Sequence, residues 1–575
     1  MKLPKMKSLS LVLPWLVAAI SSFALAAEPG QPPSSLEEWR IRELVPSEAP
    51  VETQNKLAFH GLFTDGMILQ RDQEVPVWGW GPDGETVEVR FGDTKVQTTV
   101  KGNSWMVKLP PMQASDQGRE LTVRCGPHQV VLKDVLVGEV WLCSGQSNMM
   151  VEMKLDVDKD PQRAADIKSA NNPLIRFFKV DRASAREPRR DIPSVRDDIY
   201  APWSNAFLGN QWRPCTKEWV PHVGATPFYF ARALQEKVKC PVGMLICARG
   251  GSSIDCWVPA SVICGEPCWS DRKDALAFAQ DRWPEFIRPL IEKMRPFQEK
   301  FPTLHDLWLA QIAAPNNKPV PFPQPAWPTC FYNAMLHPMA PFAFRGILWY
   351  QGEGDAGGAG VYADKMASLI RSWRSLWSKP DMPFVFAQLA GFAGVKAEPP
   401  DADLHNWAAL RAAQSRVPGT VPGAFMACLI DAGMQHNIHP VRKDVAGGRL
   451  AGVALREVYK NNIPANGPQF LSLSRSDGNL RVRFRNTEKG LEAREVEMDG
   501  IRLSSERLVG FEICGADRKF FKAEAKIEGE EVVVFNPEVP NPVAVRYAWA
   551  DFPLANLYNR DALPAEPFEA ELPLK

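Results

Sequence analysis

The sequence predicts an α/β domain with a mostly parallel sheet and a smaller β domain on each side of it. Short apolar runs recur through the middle of the chain, at residues 135–143, 175–178, 242–247, 346–350, 384–389 and 424–427. Helical stretches such as 228–238 and 362–377 lie between these runs. Strands that alternate with helices build a parallel sheet with both faces covered. The flanking regions carry only short strand patterns separated by turns.

The same patterns divide the chain into segments. Residues 27–56 are rich in proline and glutamate and predict a linker. Residues 57–134 predict an N-terminal β-sandwich-like domain, and residues 463–575 predict a second one at the C-terminus. The α/β region then spans residues 135–462. Within it, residues 260–330 interrupt the strand–helix alternation and predict an insertion near the site.

Composition excludes several classes of protein. With 575 residues the chain is too long for one core, so two to four domains are expected. Hydrophobic residues at 45% and charged residues at 23% are typical of a globular protein. The net charge is zero and no basic stripe is present, which argues against a nucleic-acid partner. The 19 tryptophans suit carbohydrate binding as well as core packing.

The first 26 residues have the pattern of a secretory signal peptide. Three lysines, Lys2, Lys5 and Lys7, precede an apolar run at residues 11–20, and Ala24-Leu25-Ala26 supplies a cleavage site. A retained membrane anchor is the alternative. No other stretch approaches transmembrane length. We therefore expect a mature protein without a membrane span, secreted or periplasmic in a bacterium.

The eleven cysteines include a close group in the predicted insertion region. Its members are Cys247, Cys256, Cys264 and Cys268. Export permits disulfides, so a bridge is expected in this region. The spacing does not repeat as in a zinc site, and no histidine pair accompanies it, so neither a metal nor another cofactor is predicted. Cys143 lies inside an apolar run and is expected to be a buried thiol.

Ser147 is the candidate nucleophile. The apolar run at 135–143 leads directly into Gly145-Gln146-Ser147-Asn148, which predicts a strand that ends in a tight turn. Open α/β folds bind their ligands at this edge of the sheet. The motif differs from the Gly-x-Ser-x-Gly elbow because Asn148 and Met149 follow the serine. A serine that serves only as a turn residue is the alternative.

A serine nucleophile requires a base and oxyanion donors. Among the eight histidines, His439 is the best base, because it follows the apolar run that ends at Asp431 and precedes a helix-like segment at 445–459. The loop at 249–253 follows another predicted strand, and its backbone amides face the same edge. The amide of Gln351, after a further strand, is a second candidate donor.

Together, these motifs resemble the sialate O-acetylesterase family, which belongs to the SGNH hydrolase superfamily of carbohydrate acetylesterases. The resemblance extends from about residue 57 to the C-terminus. The matching motifs are 63–71 (FTDGMILQR), 77–80 (VWGW), 138–141 (GEVW), 145–149 (GQSNM), Gly250-Gly251 with Trp257, 349–353 (WYQGE), 373–374 (WR), 388–390 (QLA), Arg411 with Gln414, 438–440 (IHP), 448–451 (GRLA), 545–549 (VRYAW) and 556–558 (NLY).

The resemblance implies an SGNH-type three-layer sandwich and an esterase that removes O-acetyl groups from a glycan. It makes Ser147 the nucleophile and His439 the base. It also implies an oxyanion hole formed by the backbone amide of Ser147 together with Gly251 and Gln351. The expected partner is an acetylated carbohydrate substrate.

The chain departs from the family at the triad acid. The family usually carries an aspartate two or three residues before the histidine, where this chain has His436 and Asn437. An Asp→Asn change in a triad costs up to ~10⁴ in rate, so another carboxylate is needed. The alternatives are Glu353, Asp355 and Asp431. We favour Glu353, because its strand end faces the same crevice.

Three hypotheses for the function follow. The first is a secreted serine esterase that acts on O-acetylated sialic acid or other glycans through an acetyl-Ser147 intermediate. The second keeps this chemistry but takes acetylated xylan or another polysaccharide as substrate. The third is a catalytically silent glycan-binding homologue, which the missing acid before His439 favours. Residues 155–215 and 260–330 are expected to form the pocket walls that select the substrate.

Overall fold

The computed structural model describes residues 55–192, 210–277, 279, 327–394 and 406–573. The predicted signal peptide, nearly all of the predicted linker and residues 280–326 of the predicted insertion lie outside the described residues. Among the described residues, no helix has both the length and the apolar sequence that crossing a membrane requires.

The first eight strands precede Ser147. They are β1 (Ala58–Phe59), β2 (Ile68–Gln70), β3 (Val75–Trp80), β4 (Thr86–Phe91), β5 (Thr94–Thr99), β6 (Ser104–Leu109), β7 (Ser115–Cys125) and β8 (His128–Gly145). Strands β1, β3 and β6 form a three-stranded sheet. The first part of β8 pairs antiparallel with β7, and its second part enters the central sheet. One 18-residue strand thus joins the N-terminal strands to the α/β region.

The central sheet continues with six strands: β9 (Asn171–Lys179), β10 (Arg213–Thr216), β11 (Val242–Ala248), β12 (Gly346–Tyr350), β13 (Phe384–Ala387) and β14 (Ala424–Ala427). Its order is β10-β9-β11-β8-β12-β13-β14. Neighbours from β9 to β14 are parallel, and β10 is antiparallel to β9. The α/β class is confirmed. The sheet as a whole has eleven strands and is mixed, because β2, β4, β5 and β7 continue it through β8.

The α-helices with defined bounds are α1 (Ser147–Met150), α2 (Pro161–Ser169), α3 (Ala225–Val238), α4 (Ala260–Gly265), α5 (Ala359–Leu376), α6 (Asn406–Thr420) and α7 (Lys443–Glu457). Helix α3 packs against α7, and α5 packs against α6. The predicted helices at 228–238, 362–377 and 445–459 correspond to α3, α5 and α7.

Two tryptophans show that these helix pairs cover opposite faces of the sheet. Trp141 of β8 lies 5.3 Å from Phe230 of α3, measured between ring centroids. Trp349 of β12 lies 5.6 Å from Trp373 of α5. Trp349 is in register with Ser144, three residues after Trp141, so the two indoles point to opposite faces. These tryptophans are fully buried and serve as core.

The C-terminal region is built from short strands. They are β15 (Gln469–Ser476), β16 (Asn479–Arg485), β17 (Leu491–Ala493), β18 (Val496–Met498), β19 (Ile501–Leu503), β20 (Phe511–Cys514), β21 (Phe520–Lys522), β22 (Glu524–Glu528), β23 (Glu531–Phe535), β24 (Ala544–Tyr547), β25 (Leu557–Asn559) and β26 (Phe568–Glu571). Two four-stranded sheets, β15-β16-β23-β22 and β21-β20-β24-β26, contribute to a separate hydrophobic core. Cys428 and Ile430, which follow β14, insert into that core.

The sequence favours a disulfide near the predicted insertion, but none involves Cys247, Cys256 or Cys268. All three are thiols in the structure. Burial raises the pKa of each of these thiols, which favours the protonated form. Cys143 is also a buried thiol, as the sequence predicts.

Gly145 ends β8 in a conformation that a side chain cannot adopt. Its φ is 125°, and a Cβ added there would lie 2.2 Å from the carbonyl oxygen of Tyr350. We therefore expect Gly145→Ala to lower the thermal midpoint by about 5 °C or more, since both backbone strain and a steric clash are introduced. Gly360→Ala is the control, because nothing lies within 4 Å of its added Cβ. Equal midpoints for both variants, measured by circular dichroism, would contradict this account.

Candidate active site

Ser147 lies at the carboxyl edge of the central sheet. It begins helix α1 immediately after β8 and is half-buried. The turn is anchored to the neighbouring strand, because the backbone N–H of Gln146 donates to the carbonyl of Tyr350 at 2.9 Å. The structure therefore places Ser147 at the sheet edge where the sequence predicts it.

The loop after β11 runs beside Ser147. The backbone N–H of Arg249 donates to the carbonyl of Gly145 at 3.0 Å, which joins the ends of β11 and β8. A Cβ added to Gly250 would lie 3.6 Å from the Cβ of Ser147. The loop therefore lies close to the serine, and a Cβ at Gly250 would make an ordinary van der Waals contact there. Gly251 follows with a φ of 70° and is exposed.

Gln351 is fully buried behind this loop. Its Nε2 donates to the carbonyl of Ser252 at 3.1 Å and to the carboxylate of Asp355. Its Oε1 accepts a hydrogen bond from the Tyr362 hydroxyl at 2.9 Å. Both hydrogens of the Gln351 side-chain amide are thus engaged within the protein, where they hold the 251–253 loop in place.

His439 lies in the loop between β14 and α7 and is half-buried. Its own backbone N–H donates to Oδ1 of Asn437 at 2.9 Å. Asn437 therefore shapes the loop through an Asx turn. This residue occupies the position at which the acid was expected, and its side-chain oxygen contacts the backbone of His439.

Asn148 connects the elements of the site, a role that the sequence analysis missed. Its Nδ2 donates to the carbonyl of Ile438 at 3.0 Å and to the carboxylate of Glu353. Its Oδ1 accepts from Nζ of Lys443 at 2.6 Å. The residue after Ser147 is therefore bonded to the peptide before His439, to the segment after β12 and to α7. The motif Gly-Gln-Ser-Asn was the only available signal.

Two of the three acid candidates are held by other groups. Asp431 accepts from Arg449 and from the Tyr558 hydroxyl, each at 2.7 Å. Burial opposes ionisation of Asp431, but the ion pair with Arg449 outweighs it and holds the pKa below its usual value. Asp355 accepts from the backbone N–H of Ile254 at 2.9 Å and from Gln351. Burial raises the pKa of Asp355 to about 6.

Glu353 has one carboxylate oxygen that no hydrogen bond engages within the described residues. Oε1 accepts from Asn148, whereas Oε2 is buried without a hydrogen-bond partner in this part of the chain. Burial raises the pKa of Glu353, and the hydrogen bond from Asn148 opposes that rise. A buried acceptor of this kind is costly unless a donor uses it, so its presence points to a functional partner.

Acidic, histidine and cysteine side chains form no cluster of three or more that is suited to a metal within the described ranges. The polar groups of the site are instead a hydroxyl, amides, a carboxylate and an imidazole. Groups of these kinds can supply nucleophilic and acid–base chemistry.

Comparison with known proteins identifies related enzymes. The family model for carbohydrate esterases described as sialic acid-specific acetylesterases matches residues 137–271 and 325–436. Sialate O-acetylesterase from Rattus norvegicus is 26% identical over 88% of this chain and 93% of the relative. The Homo sapiens enzyme of that name is 24% identical over 89% of this chain and 92% of the relative.

A solved structure has the same overall architecture. The crystal structure of XAC1771, a carbohydrate acetylesterase from Xanthomonas citri, is 29% identical to this chain with a TM-score of 0.70. The match covers 89% of this chain and 99% of XAC1771. Together with the serine at the edge of an α/β sheet, these matches define the protein as a carboxylic ester hydrolase.

Within that class, the chain belongs to the sialic acid-specific acetylesterase family of carbohydrate esterases. The resemblance seen in the sequence motifs is thereby confirmed.

Proposed function

We propose that this protein is a secreted serine esterase that removes O-acetyl groups from sialic acid or related glycans through an acetyl-Ser147 intermediate. The observation that carries the proposal is the position of Asn148. This side chain follows Ser147 and is hydrogen-bonded to Glu353 and to the peptide that precedes His439. A nucleophile, a base and an acid at one sheet edge are what acyl transfer requires.

In the proposed acylation step, His439 removes the proton from the Ser147 hydroxyl as its oxygen attacks the acetyl carbonyl carbon. The resulting tetrahedral intermediate collapses, and the bond to the sugar oxygen breaks. His439 returns the proton to that oxygen, which releases the deacetylated sugar. Oε2 of Glu353 accepts the second ring N–H of His439, which fixes the tautomer and stabilises the imidazolium.

In deacylation, His439 activates a water molecule that attacks the acetyl-Ser147 carbonyl. Collapse of this second intermediate releases acetate and restores the serine hydroxyl. We assign the oxyanion hole to the backbone amides of Ser147 and Gly251, supported by the close approach of the 249–253 loop to Ser147. Gln351 was expected as a third donor. Because its amide hydrogens already bind Ser252 and Asp355, we assign it to supporting the loop.

The proposal extends to the organisation of the chain. Residues 135–462 form an SGNH-type three-layer catalytic domain, and residues 57–134 and 463–575 form flanking β domains. Residues 1–26 direct export and are removed. Mass spectrometry of the protein secreted by a bacterial host tests the last point. A mature N-terminus close to Ala27 is expected, and an uncleaved exported chain would contradict it.

The substrate class is tested by acetate release from three purified glycans: O-acetylated sialic acid, acetylated xylan and acetylated glucomannan. We expect the highest kcat/KM with O-acetylated sialic acid, by analogy with the mammalian relatives, which are sialate O-acetylesterases. A higher kcat/KM with acetylated xylan would indicate that the substrates of the enzyme are acetylated polysaccharides. Glycan binding without acetate release at any pH would favour the silent homologue.

A further inference from the structure

Lys443 is a buried cation in the first turn of α7. Only 1% of it is exposed. A buried ammonium group loses its hydration and is retained only where other groups compensate for that loss. Burial lowers the pKa of Lys443 to about 7, and repulsion from Arg163 contributes to the same shift. The group that replaces the lost hydration of Lys443 therefore indicates why a lysine is buried at this position.

That partner belongs to the active site. Nζ of Lys443 lies 2.6 Å from Oδ1 of Asn148, the residue that follows Ser147. Three charged groups from other elements face the ammonium: Arg163 of α2, Asp156 before α2, and Glu353 after β12. Asp156 bonds to Lys159 at 2.8 Å, so part of its charge is compensated there. Arg163 donates to backbone carbonyls, including that of Leu155 at 2.8 Å.

The ammonium determines which way the Asn148 amide points. A lysine ammonium has only donors, so it faces the oxygen of the amide and not its NH₂ group. The NH₂ group is then directed at the carboxylate of Glu353 and the carbonyl of Ile438, which are both acceptors. A reversed amide would place its oxygen against these acceptors and its hydrogens against the ammonium. One orientation is therefore strongly favoured.

We propose that Lys443 is a positioning residue for ester hydrolysis: its ammonium group orients the amide of Asn148, which holds Glu353 beside the His439 loop. This inference rests on the proposed function. Burial raises the pKa of Glu353. The hydrogen bond from Asn148 opposes this rise, and the positive charge of Lys443 opposes it further. Lys443 acts through Asn148 and Glu353 and does not touch the reacting atoms.

The first test is Lys443→Met, assayed with 4-nitrophenyl acetate across pH 5 to 9. Loss of the oriented amide is expected to lower the plateau kcat about 100-fold, because a misaligned base loses part of its contribution to the rate. The acid limb of the kcat/KM profile is expected to move to higher pH. Without the lysine charge the pKa of Glu353 rises, so a higher pH is needed to ionise it.

Lys443→Gln separates orientation from charge. A glutamine amide still donates a hydrogen bond to Asn148, so most of the plateau kcat should return. The acid limb should remain displaced, because the positive charge is absent. If Lys443→Met does not fold, Lys443→Gln still tests whether the acid limb of the kcat/KM profile moves to higher pH.

Lys379→Met is the matched control. Lys379 is half-buried, donates to the side-chain oxygen of Gln73 and lies between α5 and the start of β13, at the opposite edge of the sheet. Its substitution is expected to leave both the plateau and the acid limb unchanged. The positioning role is wrong if a folded Lys443 variant keeps the wild-type plateau and acid limb while Ser147→Ala is inactive. If Ser147→Ala is itself active, the proposed function fails.

Discussion

Ser147→Ala is expected to reduce kcat for 4-nitrophenyl acetate and for O-acetylated glycans by about 10⁴-fold or more. The substitution removes the oxygen that forms the acetyl–enzyme bond, while the remaining side chains of the site are unchanged. The residual rate should come only from binding and oxyanion stabilisation. Acetate release, measured with a coupled enzymatic assay, provides the comparison.

Ser144→Ala is a matched control for this substitution. Ser144 lies three residues earlier in β8, is fully buried, and its hydroxyl has no hydrogen-bond partner among the described residues. Removing an unsatisfied buried hydroxyl should leave the rate unchanged and the thermal midpoint equal or slightly higher. If both serine variants retain the wild-type rate, Ser147 is not the nucleophile and the serine-esterase mechanism is rejected.

Glu353→Gln is expected to produce the second large loss, a decrease in kcat of about 10³- to 10⁴-fold. Glutamine preserves the shape of the side chain and an oxygen for Asn148. It replaces the buried, unpartnered Oε2 by an amide that is less able to stabilise an imidazolium. The KM should change little, because Glu353 acts on His439 and not on the substrate.

Asp431→Asn tests the competing assignment of the acid. Asp431 is bonded to Arg449 and to Tyr558. Its substitution should therefore lower the thermal midpoint, because a half-buried ion pair is broken, and leave most of kcat intact. A folded Asp431→Asn variant with a severe loss of kcat, beside an active Glu353→Gln variant, would transfer the role to Asp431. Near-normal activity in both variants would indicate a Ser147–His439 dyad.

In the proposed mechanism, the network around Asn148 compensates for the missing aspartate before His439. Asn437 stabilises the loop by accepting the backbone N–H of His439. Glu353 approaches from β12, held by the amide of Asn148. The proposed acid and the proposed base then follow different strands, which is possible because a triad depends on geometry and not on the order of its members in the chain.

Much of this arrangement follows from local sequence. The apolar run before Gly145 predicts the strand, and Gly145 itself marks the turn that presents Ser147. The sequence also predicted correctly the α/β class, the helices that flank the sheet and the family. These predictions depend on the spacing of apolar residues and on short motifs, which are local properties of the sequence. The expected disulfide was wrong for Cys247, Cys256 and Cys268, because the proximity of cysteines in the sequence does not determine the geometry of their side chains.

Only the tertiary structure showed the different contacts of the three acid candidates and the contacts of Lys443. Asn148 is 205 residues from Glu353 and 295 residues from Lys443 in the chain. Their contact depends on the strand order β8-β12-β13-β14, which an apolar pattern does not encode. The sequence by itself determined the sheet edge that carries Ser147 and His439. The tertiary structure decided their partners, because hydrogen bonds between distant segments depend on strand order and on burial.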